Sequence, residues 1–213
     1  MYFIAFEGLD GSGKSSLMHL LNQELHKLGF QTVLTREPGG TELGDSLREL
    51  ILKKDGVPPS PRAELLMYEA SRAQHVEKII KPALADQKWV LCDRFTGSSV
   101  AFQCGGRSIS RGQVDWLNDF AVNGCNPHLN VLLDLPVDQS KVRREQRQTA
   151  TGIKHDRMES EPDDFHERVR ESFLAQAREN PEQWLIVSSL EKPEQLLQHL
   201  LKHLKMEKKW LGS

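Results

Sequence analysis

A glycine-rich segment near the start of the chain constrains its fold more than any other feature. Residues 7–16 read EGLDGSGKSS and fit the pattern G-x-x-x-x-G-K-[ST], in which a lysine and a hydroxyl residue follow closely spaced glycines. The segment comes directly after the apolar run YFIAF and directly before an amphipathic stretch rich in leucine. A strand, a tight loop and a helix in this order are typical of a loop that binds nucleotide phosphates.

Short apolar runs alternate with amphipathic segments along the rest of the chain, which predicts an α/β fold with a parallel sheet covered by helices on both faces. Five strands are predicted, at residues 2–6, 31–35, 89–93, 130–135 and 184–187. Each is rich in Val, Ile, Leu or aromatic residues, so each is expected to be buried on both faces. No linker, low-complexity stretch or internal repeat divides the sequence, and residues 1–213 are therefore expected to form a single domain.

The amphipathic segments carry their own boundary signals. In the first, leucines recur at helical spacing as far as Leu28, and Gly29 follows, where a left-handed residue can end a helix. A later helix is predicted to begin at Pro61, with Ser60 in the capping position before it.

Composition argues against several classes of protein. The formal net charge is only -2, so no general attraction to nucleic acid or to anionic membranes is expected. No apolar run approaches the roughly 20 residues that a membrane-spanning helix needs, and the sequence begins in an apolar strand without a charged leader. The three cysteines, Cys92, Cys104 and Cys125, show neither C-x-x-C pairing nor companion histidines at zinc spacing. Reduced thiols and a cytoplasmic location are therefore expected.

The glycine-rich loop is expected to bind a nucleoside triphosphate. Its backbone N–H groups and the N-terminus of the next helix would face the phosphate oxygens, Lys14 would place its charge between the β- and γ-phosphates, and Ser15 would bind Mg²⁺. A carboxylate at a strand end should complete the magnesium site. Asp93 is favoured over Asp134 because Arg94 follows it and brings a positive charge to the same edge. The residues predicted to bind the triphosphate are Gly8, Leu9, Asp10, Gly11, Ser12, Gly13, Lys14, Ser15 and Ser16.

A second group of residues indicates a pocket for an acceptor base. Tyr68 and Arg72 are four residues apart on a predicted helix and share a face, so a ring that stacks and a guanidinium that reads a carbonyl lie side by side. In isolation, such a pair is more often a solvated face. The segments TREPGGT, with Arg48 in the following helix, and DRFTGSSVAFQCGGR come after two predicted strands, and their polar, glycine-rich character favours the pocket.

Together these segments resemble those of bacterial thymidylate kinases over essentially the whole chain. The matching stretches are EGLDGSGKSS, TREPGGT, LLMYEASRAQHV, DRF, SSVAFQCGGR and DRME. The resemblance implies the P-loop NTPase fold and transfer of the γ-phosphoryl group of ATP to dTMP, giving dTDP and ADP with Mg²⁺ as cofactor, on the route to dTTP. It also implies a homodimer, for which Trp116 and Phe120 offer apolar surface, although core packing would explain these two residues equally well.

The resemblance assigns roles to individual positions of the acceptor site. Asp10 matches the acidic loop residue near the 3′-hydroxyl of dTMP, and Arg48 and Arg94 match the residues that hold its phosphate. Tyr68 takes the place of an aromatic residue, usually Phe, that stacks on thymine, and Arg72 that of the arginine that reads the thymine O4.

Three further positions near the pocket can be compared with relatives in the same way. Ser99 falls where a small polar residue lies near the base edge, and Phe102 falls where many relatives have a tyrosine against the sugar. The Phe102 ring could still crowd a ribose 2′-hydroxyl, so a preference for deoxyribose is expected to survive the loss of the phenolic oxygen. Cys104 replaces what is often glycine, and no special role follows from it.

The arginine that stabilises the transferring phosphoryl group lies either in the phosphate loop or in a mobile lid in this family, and the loop here has none. The segment 143–157 is therefore the expected lid, although alone it would read as a solvated basic helix. Relatives often carry three arginines at alternating positions in this segment, and Glu145 occupies the middle one. Arg147 is ranked first and Arg143 second, with Arg157 further along. The predicted catalytic residues are Asp10, Lys14, Arg94, Arg143 and Arg147.

Other nucleotide-binding proteins compete with this interpretation. Another deoxynucleotide or deoxynucleoside kinase would share the phosphate loop and differ in the pocket, but a nucleoside acceptor would leave Arg48 and Arg94 without a phosphate to bind. A GTP-dependent switch would need an N-K-x-D motif, which the sequence lacks. A pure binding module would give Lys14, Ser15 and Asp93 no common purpose.

Overall fold

The computed structural model describes residues 1–206, and its central feature is a five-stranded sheet. The strands are β1 (Phe3–Glu7), β2 (Thr32–Arg36), β3 (Trp89–Asp93), β4 (Leu129–Asp134) and β5 (Trp184–Ser188). They lie in the order β2-β3-β1-β4-β5, and every neighbouring pair is parallel. The predicted α/β fold is confirmed, and no strand boundary differs from its prediction by more than one residue. Residues 207–213 of the predicted domain lie outside the described part of the chain.

Helices connect the strands and cover both faces of the sheet. They are α1 (Lys14–Lys27), α2 (Glu42–Leu52), α3 (Pro61–His75), α4 (Lys81–Ala85), α5 (Thr96–Ser99), α6 (Arg111–Val122), α7 (Val137–Thr151), α8 (Asp163–Glu179) and α9 (Pro193–Met206). Two π-helical segments, Val76–Ile80 and Val100–Gly106, join α3 to α4 and extend α5. Within residues 1–206, none of these helices is both long enough and apolar enough to span a bilayer.

The two faces of the sheet are buried under different helices, because successive side chains of a strand point to opposite sides. Along β1, Ile4 and Phe6 pack with leucines of α1 and α9, whereas Phe3 and Ala5 pack with residues of β3, α6 and the segment Val76–Ile80. Every residue of β1 is buried. The central strand is thus clamped between two apolar clusters, which fixes the point at which the phosphate loop begins.

Three expectations about local structure are wrong. The outer strands β2 and β5 are not buried on both faces, and Leu34 and Ile186 are exposed, because these strands form the two edges of the sheet. The predicted helical run of leucines extends only to Leu25, because α1 ends at Lys27 and Leu28, the residue after it, is exposed. The chain does leave α1 at Gly29 as predicted, with a φ of +84°. Ser60 occupies the position before α3, but its side chain makes no capping hydrogen bond.

The three cysteines are free thiols, as predicted. Cys92 is fully buried in β3, and the half-buried Cys104 and Cys125 pack against hydrophobic clusters. Burial raises the pKa of all three thiols. Because the thiolate is the reactive form, these cysteines act as packing groups.

The order of the strands reverses at β1, which has β3 and β2 on one side and β4 and β5 on the other. Ligands of open parallel sheets bind at the carboxyl ends of the strands, at such a reversal. The phosphate loop follows β1, and Arg94 follows β3. The sheet thus brings both segments to its binding edge.

Candidate active site

The loop between β1 and α1 has the backbone of a phosphate-binding loop. Gly8, Gly11 and Gly13 adopt φ values of +133°, +79° and +92°, which a residue with a Cβ adopts only at a cost. At Gly8, a Cβ atom would lie 2.5 Å from the carbonyl oxygen of Leu133. Because α1 begins at Lys14, directly after the loop, the free N–H groups of its first turn are available to an anion.

Lys14 folds back over the loop that carries it. Its ammonium donates hydrogen bonds to the carbonyl oxygens of Gly8 and Leu9, at 3.2 and 3.1 Å. Burial lowers the pKa of Lys14, and Arg94 lowers it further, while Asp93 acts in the opposite direction. The residue is only 6% exposed, so a phosphate that replaced the two carbonyls would meet a charge with little water around it.

Ser15 and Asp93, the predicted magnesium ligands, lie side by side. The Ser15 hydroxyl donates a hydrogen bond to Oδ2 of Asp93 at 3.1 Å. The competing Asp134 is instead bound through both of its oxygens by Arg170, at 2.7 and 2.9 Å. A hydroxyl and a carboxylate are hard oxygen donors of the kind that Mg²⁺ accepts beside water and phosphate. The pair therefore fits Mg²⁺ in its usual nucleotide-bound form, and the described residues contain no group of three or more His, Cys, Asp or Glu that would form a closed cage.

Arg94 joins the phosphate loop to the end of β3. Its φ of +72° lies in the left-handed region, which is uncommon for a residue with a Cβ. Its guanidinium donates to the carbonyl of Gly8 at 3.0 Å and to Oδ1 of Asp10 at 2.8 Å, and lies 5.1 Å from the ring centre of Phe102. Burial would lower the pKa of Arg94, but the carboxylates of Asp10 and Asp93 outweigh this and raise it. Arg94 therefore remains charged.

All seven residues predicted to bind the acceptor line one cavity beside the phosphate loop. The cavity has about 560 Å³ of empty space, which includes space open to solvent. The seven are Asp10, Arg48, Tyr68, Arg72, Arg94, Ser99 and Phe102. The wall also includes the turn at Glu37 and Pro38 and the residues Asp156 and Met158, to which no role was assigned from the sequence.

Arg72 lies in the wall of this cavity and is almost completely buried. The protein supplies an acceptor for most of its N–H groups: Glu37 for Nε, Glu69, Ser99 and Asn118 for Nη1, and the carbonyl of Phe95 for Nη2. Burial alone would lower the pKa of Arg72, but Glu37 and Glu69 raise it above its ordinary value. A guanidinium has five N–H groups. Within the described part of the chain, the second N–H of Nη2 is left without an acceptor.

Arg48 and Tyr68 contribute to the same cavity from α2 and α3. Arg48 donates one hydrogen bond, to the carbonyl of Pro38 at 3.0 Å. Burial and the neighbouring Arg36 lower the pKa of Arg48. Burial and the nearby Glu64 raise the pKa of Tyr68, so its phenol stays protonated at neutral pH.

The predicted lid comprises the second half of α7 and the segment after it. Gly152, with a φ of +70°, ends the helix. Arg143 donates to the carbonyl oxygens of Gly11 and Ser189, at 3.1 and 2.8 Å. Neither Arg143 nor Arg147 lines the acceptor cavity. Arg147 donates to the Glu159 carboxylate and remains 40% exposed. The two candidate arginines thus have different surroundings.

Arg144 is a lid residue that the sequence analysis overlooked. It is almost fully buried and donates to the backbone carbonyl of Glu159, while its own Nε has no partner. Its charge helps to keep the pKa of Asp10 low. Helical spacing could have identified it, because Arg144 follows Val137 and Ser140 on the buried face of α7.

Arg157 is fixed in place at the end of the lid. Its Nε donates to the carbonyl of Ile51 at 2.9 Å, and its Nη2 donates to Glu64 at 2.6 Å. The buried Glu64, which the sequence analysis also missed, accepts further hydrogen bonds from Gln103 and Arg107. These contacts tie the end of the lid to α2, α3 and the segment Val100–Gly106.

Glu7 is a second overlooked carboxylate, fully buried at the end of β1. It accepts hydrogen bonds from the backbone N–H groups of Phe95 and Ser98, at 2.9 and 3.1 Å, and from the Ser98 hydroxyl at 2.6 Å. Burial raises the pKa of Glu7 to about 7, although Ser98 and Arg94 act against this rise. Glu7 therefore holds the segment after Arg94 against β1.

The geometry agrees with what comparisons with known proteins find. Residues 6–200 match the family described as "Thymidylate kinase". The chain is 56% identical to a thymidylate kinase of Bdellovibrio bacteriovorus over 96% of its own length and 95% of the relative's, and 44% identical to one of Pelobacter propionicus over 87% and 85%. The crystal structure of a thymidylate kinase from Ehrlichia chaffeensis superposes with a TM-score of 0.75 at 35% identity, covering 96% of this chain and 98% of the other.

The burial of Glu7 should make stability depend on pH. Because its pKa rises from 4.5 to about 7 on folding, the folded protein binds this proton more tightly than the unfolded chain does. The contribution of Glu7 to stability should therefore fall as the pH rises through this window, by about 3 kcal/mol in total. In Glu7→Gln this contribution is absent. Urea unfolding from pH 5 to 8 should show a difference in free energy between variant and wild type that changes across the window, and a constant difference would contradict it.

Proposed function

The chain belongs to the thymidylate kinase family, and we propose that it binds dTMP in the cavity beside the phosphate loop while the loop holds ATP. It has the P-loop NTPase fold and is a nucleoside monophosphate kinase, which transfers the γ-phosphoryl group of ATP to dTMP and yields dTDP and ADP. One observation carries the choice of cavity: Arg94 lines it and also contacts the phosphate loop. The continuous sheet and the free thiols support a single-domain, cytoplasmic enzyme.

Arg48 and Arg94 are proposed to bind the phosphate of dTMP. Both line the cavity, and Arg48 uses one N–H on Pro38, so other N–H groups remain for an anion. A pair of guanidinium groups matches an acceptor that already carries a phosphate. A nucleoside would offer these two groups no phosphate to bind. Asp10 lies at the same end of the cavity, where the 3′-hydroxyl of the nucleotide is expected.

Arg72, Tyr68 and Ser99 are proposed to select the base. The free N–H of Arg72 can donate to the thymine O4, and Tyr68 offers a ring to stack on. Ser99 gives its hydroxyl proton to Glu69 at 2.8 Å, so toward a ligand it can only accept, which suits the N3–H of thymine. Phe102, beneath Arg94, is proposed to border the sugar.

Ser15 and Asp93 are proposed to hold Mg²⁺. When bound, the ion supplies charge neutralisation at the β- and γ-phosphate oxygens. Lys14 is proposed to exchange the carbonyls of Gly8 and Leu9 for a phosphate oxygen, and the loop N–H groups to hold the remaining oxygens. Phosphoryl transfer needs little covalent help from protein, so the enzyme acts mainly by alignment and charge.

The two candidate lid arginines are proposed to act on different groups, Arg143 on the donor nucleotide and Arg147 on the transferring phosphoryl group. Arg143 contacts the phosphate loop and the segment after β5, so it belongs with the donor nucleotide. Arg147 is exposed and held by one carboxylate, so it can turn toward the transferring phosphoryl group. Asp10, Lys14 and Arg94 complete the proposed catalytic set.

A homodimer is proposed through α3 and α6. Trp116 and Phe120 are 66% and 74% exposed, and their rings stack with centres 6.0 Å apart. Leu66 is exposed beside them and shares a groove with Trp116. Exposed apolar patches of this kind mark interaction surfaces. Because the resemblance to thymidylate kinases implies a homodimer, a second copy of the chain is the proposed occupant.

The function predicts a ranking of acceptors. With ATP and Mg²⁺, the release of ADP should be fastest with dTMP, slower but detectable with dUMP, and poor with dCMP, dGMP and AMP. Loss of the thymine methyl costs only about 1 to 3 kcal/mol, whereas the cytosine amino group leaves the Arg72 donor unpaired, which costs more. Equal slow rates with every acceptor would refute the proposed acceptor site.

Substitution of the lid arginines should separate their roles. Arg147→Ala is expected to lower kcat by about tenfold or more, because it removes a charge from the transition state, with little change in the KM for dTMP. Arg143→Ala, the matched variant one helical turn away, should raise the KM for ATP instead. Steady-state kinetics with each substrate varied will measure both, and wild-type turnover in Arg147→Ala would exclude it as the catalytic arginine.

The proposed interface can be tested by sedimentation. The wild-type protein should sediment at about twice the chain mass of 24.2 kDa, and Phe120→Asp should shift it to monomer because a buried unpaired charge is costly. Leu43→Asp, at an exposed leucine of α2, is the control and should leave the dimer intact. A monomeric wild-type protein would contradict the proposal.

A further inference from the structure

His75 is a fully buried histidine at the end of α3 that the reaction described above does not use. Its Nδ1 lies 2.9 Å from Oε1 of Glu37, and its Nε2 lies 2.6 Å from the hydroxyl of Thr35. An ionised carboxylate can only accept, so Nδ1 donates to Glu37. Both ring nitrogens are therefore engaged, and the orientation of the imidazole is fixed.

Glu37 passes this constraint on to the acceptor cavity. Its other oxygen, Oε2, accepts the Nε–H of Arg72 at 2.8 Å, and Glu37 itself is 4% exposed. Hydrogen bonds thus connect the side chains of Thr35, His75, Glu37 and Arg72 without interruption in the interior. This connection ends at the guanidinium of Arg72, which lines the cavity and has one N–H without an acceptor among the described residues.

The ring of His75 also supports the turn after Glu37. A Cβ on Gly40 would lie 3.0 Å from Cδ2 and 3.1 Å from Nε2 of His75, so the turn packs directly on the imidazole. Pro38 belongs to the same turn, and its carbonyl accepts the hydrogen bond from Arg48 at 3.0 Å. The backbone N–H of Gly39 is in turn held by Ser71, at 3.1 Å.

We propose that His75 is a positioning residue for acceptor selection: through Glu37 it fixes the plane of the Arg72 guanidinium, and so determines how strictly the site rejects a base with an amino group in place of a carbonyl. This inference rests on the proposed function, because it requires Arg72 to face the acceptor base. It assigns His75 no contact with substrate.

The physical reason lies in the penalty for a wrong base. An N–H that cannot move away from an amino group stays unpaired in a buried site, and that is what makes rejection strong. Without the bond from His75, Glu37 loses one of its two partners and Arg72 gains freedom to turn. Glu69 and Asn118 still hold Nη1, so the loss of selectivity should be partial.

The test compares two amide variants that mimic different ring nitrogens. The amide of His75→Asn lies near the position of Nδ1 and can keep the bond to Glu37, whereas that of His75→Gln lies nearer Nε2 and keeps only Thr35. We would measure kcat/KM for dTMP, dUMP and dCMP in each variant. In His75→Asn, the ratio of kcat/KM for dTMP to that for dCMP should stay within about twofold of the wild-type ratio. For Gln the ratio should fall about fivefold or more, which corresponds to one lost hydrogen bond.

Further measurements separate positioning from stability. In His75→Gln the ratio of dTMP to dUMP and the KM for ATP should stay unchanged, since neither depends on the plane of Arg72. His199→Asn, at an exposed histidine of α9, controls for loss of an imidazole. Equal dTMP to dCMP ratios in the Asn and Gln variants would overturn the proposal, even if their melting temperatures differ. If wild type itself does not prefer dTMP to dCMP, the proposed function fails first, and the two failures are thereby distinguished.

Discussion

The ion pair between Arg94 and Asp10 is the interaction on which the arrangement of the site depends. Each partner is costly to bury alone, and each offsets the cost of the other: the carboxylates raise the pKa of Arg94, and Arg94 together with Lys14 outweighs the burial of Asp10 and holds its pKa well below its usual range. Because Arg94 follows β3 and Asp10 follows β1, the pair locks two strand ends together. A phosphate bound at Arg94, as proposed, would therefore meet a charge that is already in place, and little binding energy would be lost in ordering it.

Arg72 uses the same kind of pairing for a different purpose. Arg94 keeps its charge close to the space where a phosphate is proposed to bind, whereas Arg72 donates almost all of its N–H groups to the protein and, among the described residues, has a single N–H without an acceptor. A guanidinium with many free N–H groups could bind many different ligands. A guanidinium with one fixed N–H group binds well only to a ligand that places an acceptor atom at one position. This requirement contributes specificity rather than affinity.

Features that depend on neighbouring residues could be predicted from the sequence. Features that depend on contacts between residues far apart in the chain could not. The strands, the phosphate loop and the pairing of Tyr68 with Arg72 follow from periodicity and short motifs, and the structure has them where they were expected. Glu7 and Glu37 could not be found in this way. Their partners Ser98 and His75 are 91 and 38 positions away in the chain, and a glutamate at the end of a strand gives no sign of which residue the fold will bring to it.

The lid arginines show how energetic cost separates residues that sequence alone leaves equivalent. Arg144 is buried and donates to the backbone carbonyl of Glu159, so a move away from this contact would leave a buried charge without its partner. Arg147 is 40% exposed and its partner Glu159 is 7% exposed, so this pair is buried at the carboxylate and open to solvent at the guanidinium. A move of Arg147 toward a phosphoryl oxygen, as proposed, would break one contact of a solvent-exposed guanidinium, whereas a move of Arg144 would separate a buried charge from its backbone partner. The proposed role in the transfer step therefore fits the exposed Arg147 better than the buried Arg144 beside it.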